Sequence, residues 1–84
     1  LICATFTACE GALRVALCES TMGQDPDAYA GWNPNKGLFQ IWEGHLPYLA
    51  EFGIVNLLDN GQNIKAAWVL SKGGTTWKIW ACQP

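Results

Sequence analysis

A single histidine, His45, and no Cys-x-x-Cys pair leave the chain with little from which to build a zinc site, since the lone imidazole has no partner at ligand spacing. Positive charge is equally scarce. The five Lys and Arg residues are scattered among seven Asp and Glu, giving a net charge of -2 and a pI near 5.0. No basic patch forms, which excludes nucleic acid as the expected partner. No apolar run approaches the roughly 20 residues of a spanning helix, so no membrane span is expected. Leu1-Ile2-Cys3-Ala4 has neither a basic start nor a long apolar stretch, so no leader is visible and it has either been removed or the chain is a part of something larger. Repeats, low-complexity tracts and linkers are absent too, and 84 residues hold one domain.

What the chain does have is cysteine and aromatics. Cys3, Cys9, Cys18 and Cys82 are an even number in a domain too small to stabilise itself comfortably by its core. Four cysteines allow three pairings. A local clasp from Cys3 to Cys9 with a long closure from Cys18 to Cys82 is favoured, because the closure ties the helix carrying Glu19 to the C-terminal stretch. Such bridges point to an extracytoplasmic protein, with reduced buried thiols as the alternative. Five Trp, two Tyr and three Phe either fill a small core or line a groove.

The elements read as helices joined by loops. Thr7-Ala8-Cys9-Glu10 has capping-box spacing, so a helix is predicted from Ala8 or Cys9, with Leu13, Ala16 and Leu17 on one face and Glu19 at its end. Met22 to Lys36, with Gly23, Pro26, Gly31 and Pro34, reads as a long ordered loop. Gly37 to Trp42 is ambiguous by periodicity, and Pro47 to Phe52 reads as a helix stopped at Gly53. Asp59-Asn60-Gly61-Gln62 has cap spacing before a helix over 63–72 with Ile64, Ala67, Trp68 and Ser71 along one stripe. Its likeness to a calcium loop ends at the missing terminal Glu. Gly73-Gly74 terminates that helix, and Trp77 to Cys82 is expected to add a helical turn that packs Trp77 on Trp80. The fold class is mainly α, with helices around one small core.

Three blocks in order carry a resemblance: Ala16-Leu17-Cys18-Glu19-Ser20, then Asn33-Pro34-Asn35-Lys36-Gly37-Leu38-Phe39-Gln40-Ile41, then Asn63-Ile64-Lys65-Ala66-Ala67-Trp68-Val69-Leu70. Together they resemble the soluble lytic transglycosylase domain of the lysozyme-like superfamily, in its compact phage and actinobacterial form, whose ending is similar to Trp77 to Cys82. The resemblance implies a compact single-domain lysozyme-like fold over residues 1–84, disulfide-stapled, with an active-site cleft. Its implied partner is the glycan strand of peptidoglycan, with no cofactor and no metal. It also implies a monomer that is secreted to the cell wall or delivered by a phage.

By the same resemblance, Glu19 matches the catalytic acid, and Ser20 stands where a hydroxyl orients it. Gly37, Phe39 and Gln40 match the block packed against the acid, with Gln40 placed to contact sugar, and Asn63 matches the helix backing the cleft. Two departures stand out. Lys36 replaces the usual Ser or Tyr, and no Ala-x-Tyr-Asn core occurs, so either Trp77 and Trp80 close that wall of the cleft or the activity is weak.

The chemistry can be stated without the family. A glycosidic oxygen leaves poorly and needs a positioned acid, and a carboxyl facing a cleft loses the hydration that favours its charged form. In the anhydro route the same group then serves as base, so one carboxylate suffices, whereas a hydrolase commonly uses two. For a second carboxylate Asp25 is the best candidate, with turn formation as its plainer explanation. Asp27 shares its loop, Asp59 is more simply a cap, and Glu43 belongs to the surface or the cleft rim.

Trp32, Trp42 and Tyr48 are candidates to stack on sugar; Trp68, Trp77 and Trp80 are expected in the core, and His45 at the surface or as a cap. A lytic transglycosylase is the expected function. A hydrolytic lysozyme of goose or phage-endolysin type is the alternative, and a silent glycan-binding or virion-structural module is the third.

Overall fold

A computed structural model describes residues 1–84. Four helices carry the fold: α1 (Ile2–Thr5), α2 (Cys9–Ser20), α3 (Leu46–Leu49) and α4 (Asn60–Leu70). Short 3-10 turns at Pro26–Tyr29, Glu43–His45 and Ala50–Phe52 join them. One small hairpin pairs β1 (Asn35–Lys36) with β2 (Ile41–Trp42), with Asn35 opposite Trp42 and Lys36 opposite Ile41. The mainly α expectation and the lysozyme-like fold class hold.

Helix α2 begins where expected, but its N-cap is Ala8 and no side chain caps it. The Thr7 capping box does not form; the Cys3–Cys9 bridge fastens this end instead. Glu10 does sit in the first turn, where it favours the positive end of the helix dipole. The buried face is Ala12, Val15, Ala16 and Ser20, with Leu13 half-buried, while Leu17 is exposed. That stripe is one position away from the one expected. Small residues on it let α2 pack closely against the core.

Helix α4 starts three residues earlier than the periodicity indicates, capped by Asp59, whose carboxylate accepts from the Gln62 N–H at 2.9 Å. Its inner face is Asn63, Ile64, Ala66 and Ala67. Trp68 lies outside, 45% exposed, against the expectation that it fills the core. Ala66 occupies that interior position instead. Glycines 73 and 74, both at positive φ, then turn the chain, and Gly74 passes so close to Phe6 that a side chain there would press on its ring.

Aromatics form the centre. Phe6, Phe39 and Trp77 gather with ring centroids 5.6 to 6.0 Å apart, and Trp80 meets Trp77 edge-on at 4.9 Å. The Trp77 and Trp80 pairing is as expected, although Trp77 to Cys82 forms turns and no helix. Around this cluster pack Ile2, Val15, Leu38, Ile41, Leu49, Ile54, Leu57 and Ile64.

Gly37 to Gln40, the first part of the Gly37 to Trp42 segment that the periodicity leaves ambiguous, is the hairpin's connecting turn and is buried for three of its four residues. A buried turn cannot satisfy its peptide groups with water. Side chains from distant segments do so. Asn63 donates from Nδ2 to the Lys36 carbonyl at 2.7 Å and to the Leu57 carbonyl at 2.8 Å, and its Oδ1 accepts from the Phe39 N–H at 2.8 Å. Ser20 Oγ donates to the Leu38 carbonyl at 2.7 Å, and Trp80 Nε1 to the Phe39 carbonyl at 2.9 Å. Gly37, at φ 74°, is required twice over: its backbone is left-handed, and a Cβ would collide with the Asn63 amide and the Leu57 carbonyl.

Asn63→Asp keeps the shape but aims an oxygen at two carbonyls, leaving them unpaired. Chemical denaturation is expected to show a loss of about 3 kcal/mol, from buried acceptors stripped of their donors. A loss below about 1 kcal/mol would show that the turn holds without this residue.

Candidate active site

The last turn of α2, the hairpin, the Glu43–His45 turn and the tail converge on a cleft of about 210 Å³. Its lining is Glu19, Asn35, Gln40, Ile41, Trp42, His45, Leu70, Ile79, Trp80 and Ala81. Glu19 is the one carboxylate among them.

Glu19 is half-buried, so its desolvation is only partial. Its carboxylate oxygen Oε2 accepts from the Cys82 N–H at 3.0 Å. The Cys18–Cys82 bridge joins its neighbour in α2 to the residue that supplies this N–H. One covalent link therefore fixes both the helix and the donor. The other carboxylate oxygen has no protein partner and remains available to a ligand in the cleft.

Ser20 has a different role from the one expected. It is 1% exposed, donating to the Leu38 and Ala16 carbonyls and accepting from the Gly23 N–H at 2.9 Å. With its hydroxyl fully engaged, it neither orients the Glu19 carboxylate nor reaches a ligand. Instead it ties the end of α2 to the buried turn. The following residues, Thr21 and Met22, take left-handed backbone at φ 53° and 55°, a conformation that a β-branched threonine adopts only under constraint. The Ser20 to Gly23 bond closes that constrained turn directly after Glu19.

Gly37, Phe39 and Asn63, expected at the ligand, are buried and hold the cleft from behind. Gln40 does line it. Its amide is committed internally: Nε2 donates to the Ala28 carbonyl at 3.2 Å and the Gly37 carbonyl at 3.0 Å, and Oε1 accepts from Asn33 Nδ2 at 3.1 Å. Those three bonds hold Gln40 at φ 50°, an outlier of the kind that clusters at functional sites. Trp42 also lines the cleft and is 55% exposed.

Other candidates lie elsewhere. Tyr48, on α3, packs edge-on against Phe52 of the Ala50–Phe52 turn and is not part of the lining, and Trp32 is exposed outside it. Asp25 accepts from the Asp27 N–H at 3.0 Å as the cap of the Pro26–Tyr29 turn. It too lies outside the cleft, as does Asp27. Glu43 pairs with Lys36 at 3.9 Å, and Lys36 Nζ also donates to the Ala30 and Gly31 carbonyls. Lys36 thus pins the long loop to the hairpin.

Of the two tryptophans expected to close the far wall, Trp80 lines the cleft beside Ile79 and Ala81, while Trp77 is core. Sequence reasoning missed Asn35, His45, Leu70, Ile79 and Ala81. The hairpin pairing of Asn35 with Trp42 brings the first of these in, and a 3-10 turn directly after Trp42 brings in His45. Neither pairing nor turn has a periodicity from which to read it.

A family model described as Lysozyme like domain matches residues 4–82. No curated protein and no solved structure matches the chain.

The 64-residue separation of Cys18 and Cys82 makes their bridge the stronger of the two in the chain-entropy account, worth about 4 kcal/mol. Replacing both with serine is expected to lower unfolding free energy by about that amount in a denaturant titration. A change under about 1 kcal/mol would mean that the tail is held against Glu19 without the bridge.

Proposed function

Since the chain belongs to the lysozyme-like domain family, whose members act on peptidoglycan as glycosidases or transglycosylases, we propose that it is a lytic transglycosylase. It cuts the β-1,4 bond between N-acetylmuramic acid and N-acetylglucosamine and leaves a 1,6-anhydro product. The observation that supports this is the solitude of Glu19 in the cleft. Of the six remaining acids, Asp25 and Asp59 cap helical turns, Glu10 faces Arg14, Glu43 faces Lys36, and Asp27 and Glu51 lie outside the cleft lining. No second carboxylate lines the cleft to hold a water or trap the sugar cation from the opposite face.

Glu19 performs both proton transfers in turn. As the C1–O bond breaks, its protonated oxygen delivers the proton to the leaving glycosidic oxygen. The resulting carboxylate takes the proton from the muramic 6-hydroxyl, whose oxygen closes on C1. Glu19 ends protonated, and no water is consumed. The apolar lining from Ile41, Leu70, Ile79 and Ala81 limits water at the reacting carbon. The Cys82 N–H fixes the carboxylate's orientation while leaving its second oxygen open. Disulfides persist in oxidising compartments, so the protein acts outside the cytoplasm, either secreted to the cell wall or delivered there by a phage.

Digestion of purified peptidoglycan by the wild-type protein is expected to give anhydro-muropeptides by mass spectrometry. Reducing ends alone would favour the hydrolytic lysozyme, and binding without cleavage a silent glycan-binding module. Glu19→Gln, which keeps the Cys82 hydrogen bond but cannot exchange the proton, is expected to cut the lysis rate by about a hundredfold or more with unchanged thermal stability. Undiminished lysis by that variant would remove Glu19 from the chemistry.

A further inference from the structure

Most polar groups of the cleft are already engaged. Gln40 is committed to three internal bonds, Trp80 Nε1 to the Phe39 carbonyl, and one oxygen of Glu19 to the tail. What remains uncommitted, besides the Trp42 indole N–H, is the other Glu19 oxygen, the side-chain amide of Asn35 and the imidazole of His45. The last two flank Trp42. Asn35 lies directly across the hairpin from it, and the His45 ring stands perpendicular to the indole at 86°, with centroids 5.4 Å apart.

Gly44 supports the same indole. A Cβ on Gly44 would collide with three carbons of the Trp42 six-membered ring, so that ring rests against the glycine backbone. Gly44 has no positive φ that would otherwise demand glycine. Absence of a side chain is therefore what seats the tryptophan. Backed by Gly44 and edged by His45, Trp42 still leaves 55% of its surface to solvent, although so large an apolar ring would ordinarily be buried.

We propose that Gly44, Trp42, His45 and Asn35 form a preorganised platform for one N-acetylhexosamine ring at the rim of the Glu19 cleft. The apolar C–H face of the sugar lies on the open indole face, and Asn35 and His45 take its hydroxyl or acetamido groups. That is the composition of a small-molecule site, mainly apolar with few polar groups that fix orientation. At about 210 Å³ the cleft is smaller than the ~300–1,000 Å³ of most enclosed ligand sites, so a strand must also be held along the open rim, where Trp42 stands. Gly44 and His45 act as positioning residues for Trp42, and the platform rests on the assignment of the cleft to peptidoglycan glycan.

The test is binding of a soluble N-acetylglucosamine oligomer to the Glu19→Gln protein, read by calorimetry and by chemical shifts of the indole N–H groups. Binding is expected to move the Trp42 indole signal. Trp42→Ala is expected to weaken affinity about three- to tenfold, and Trp42→Phe to restore part of it. Gly44→Ala, which removes no sugar-facing side chain, is expected to weaken it comparably by displacing the Trp42 ring, with thermal stability unchanged. In the Glu19-intact protein Gly44→Ala should raise KM for glycan strands and leave kcat within about twofold. Normal oligomer affinity in both Gly44→Ala and Trp42→Ala would overturn the platform while leaving the cleavage assignment standing. Failure of the oligomer to bind at all, together with failure of the wild-type protein to cleave peptidoglycan, would instead count against the cleft's assignment.

Discussion

A buried turn with no regular structure is the constraint around which this small protein is arranged. Gly37 to Gln40 runs through the interior, where each peptide group needs a partner, and the backbone supplies only some of them: the Gly37 N–H meets the Ala28 carbonyl and the Gln40 N–H the Gly37 carbonyl. Ser20 from α2, Asn63 from α4 and Trp80 from the tail pair with the Leu38 and Phe39 peptide groups, three side chains far apart in the chain meeting on two residues. No buried side-chain polar atom is left without a partner. Because the turn continues into Ile41 and Trp42, whatever holds it also sets the cleft floor. The Gly-Leu-Phe-Gln block thus supports the cleft mainly from the inside, with Gln40 alone of the four reaching its surface.

The acid's position depends on the tail in a comparable way. Glu19 lies at the end of a helix whose own signals say nothing about what faces it. Part of its surroundings comes from residues sixty or more positions later, through the Cys82 N–H and the wall of Ile79, Trp80 and Ala81. Cys18 and Cys82 make that long-range meeting covalent. A domain of this size buries too little apolar surface to hold a loose tail by packing alone. The same bridge that adds stability therefore also shapes the cleft, and Trp80 serves core and cleft at once.

What could be read in advance follows from which signals are local. The Asp59 cap and the stop at Gly53 are set by neighbours within four residues, and each is found where expected, whereas α2 starts at Cys9 without its expected cap and α4 ends at Leu70, two residues early. The faces of the helices were harder. Leu17 and Trp68 look like core by their size, yet both are exposed while Ala12 and Ala66 are buried. Ser20 follows Glu19 as in the motif, but its hydroxyl meets Leu38, and nothing near it in sequence reveals that partner. Asn35 and His45 carried no signal of their own. The hairpin pairing and a 3-10 turn bring them to the cleft, and both are tertiary facts.

A cleft with one carboxylate suits chemistry in which the substrate's own hydroxyl replaces water. The apolar wall, the single acid with one free oxygen and the absence of a facing carboxylate are the grounds on which ring closure is proposed over hydrolysis. The most direct test is digestion of peptidoglycan in water enriched in heavy oxygen, followed by mass analysis of the muramic termini. Transglycosylation by Glu19 predicts termini that carry no heavy oxygen, because the closing oxygen comes from the sugar. Incorporation of one heavy oxygen at each new terminus would show that water completes the reaction, and would contradict the single-acid account.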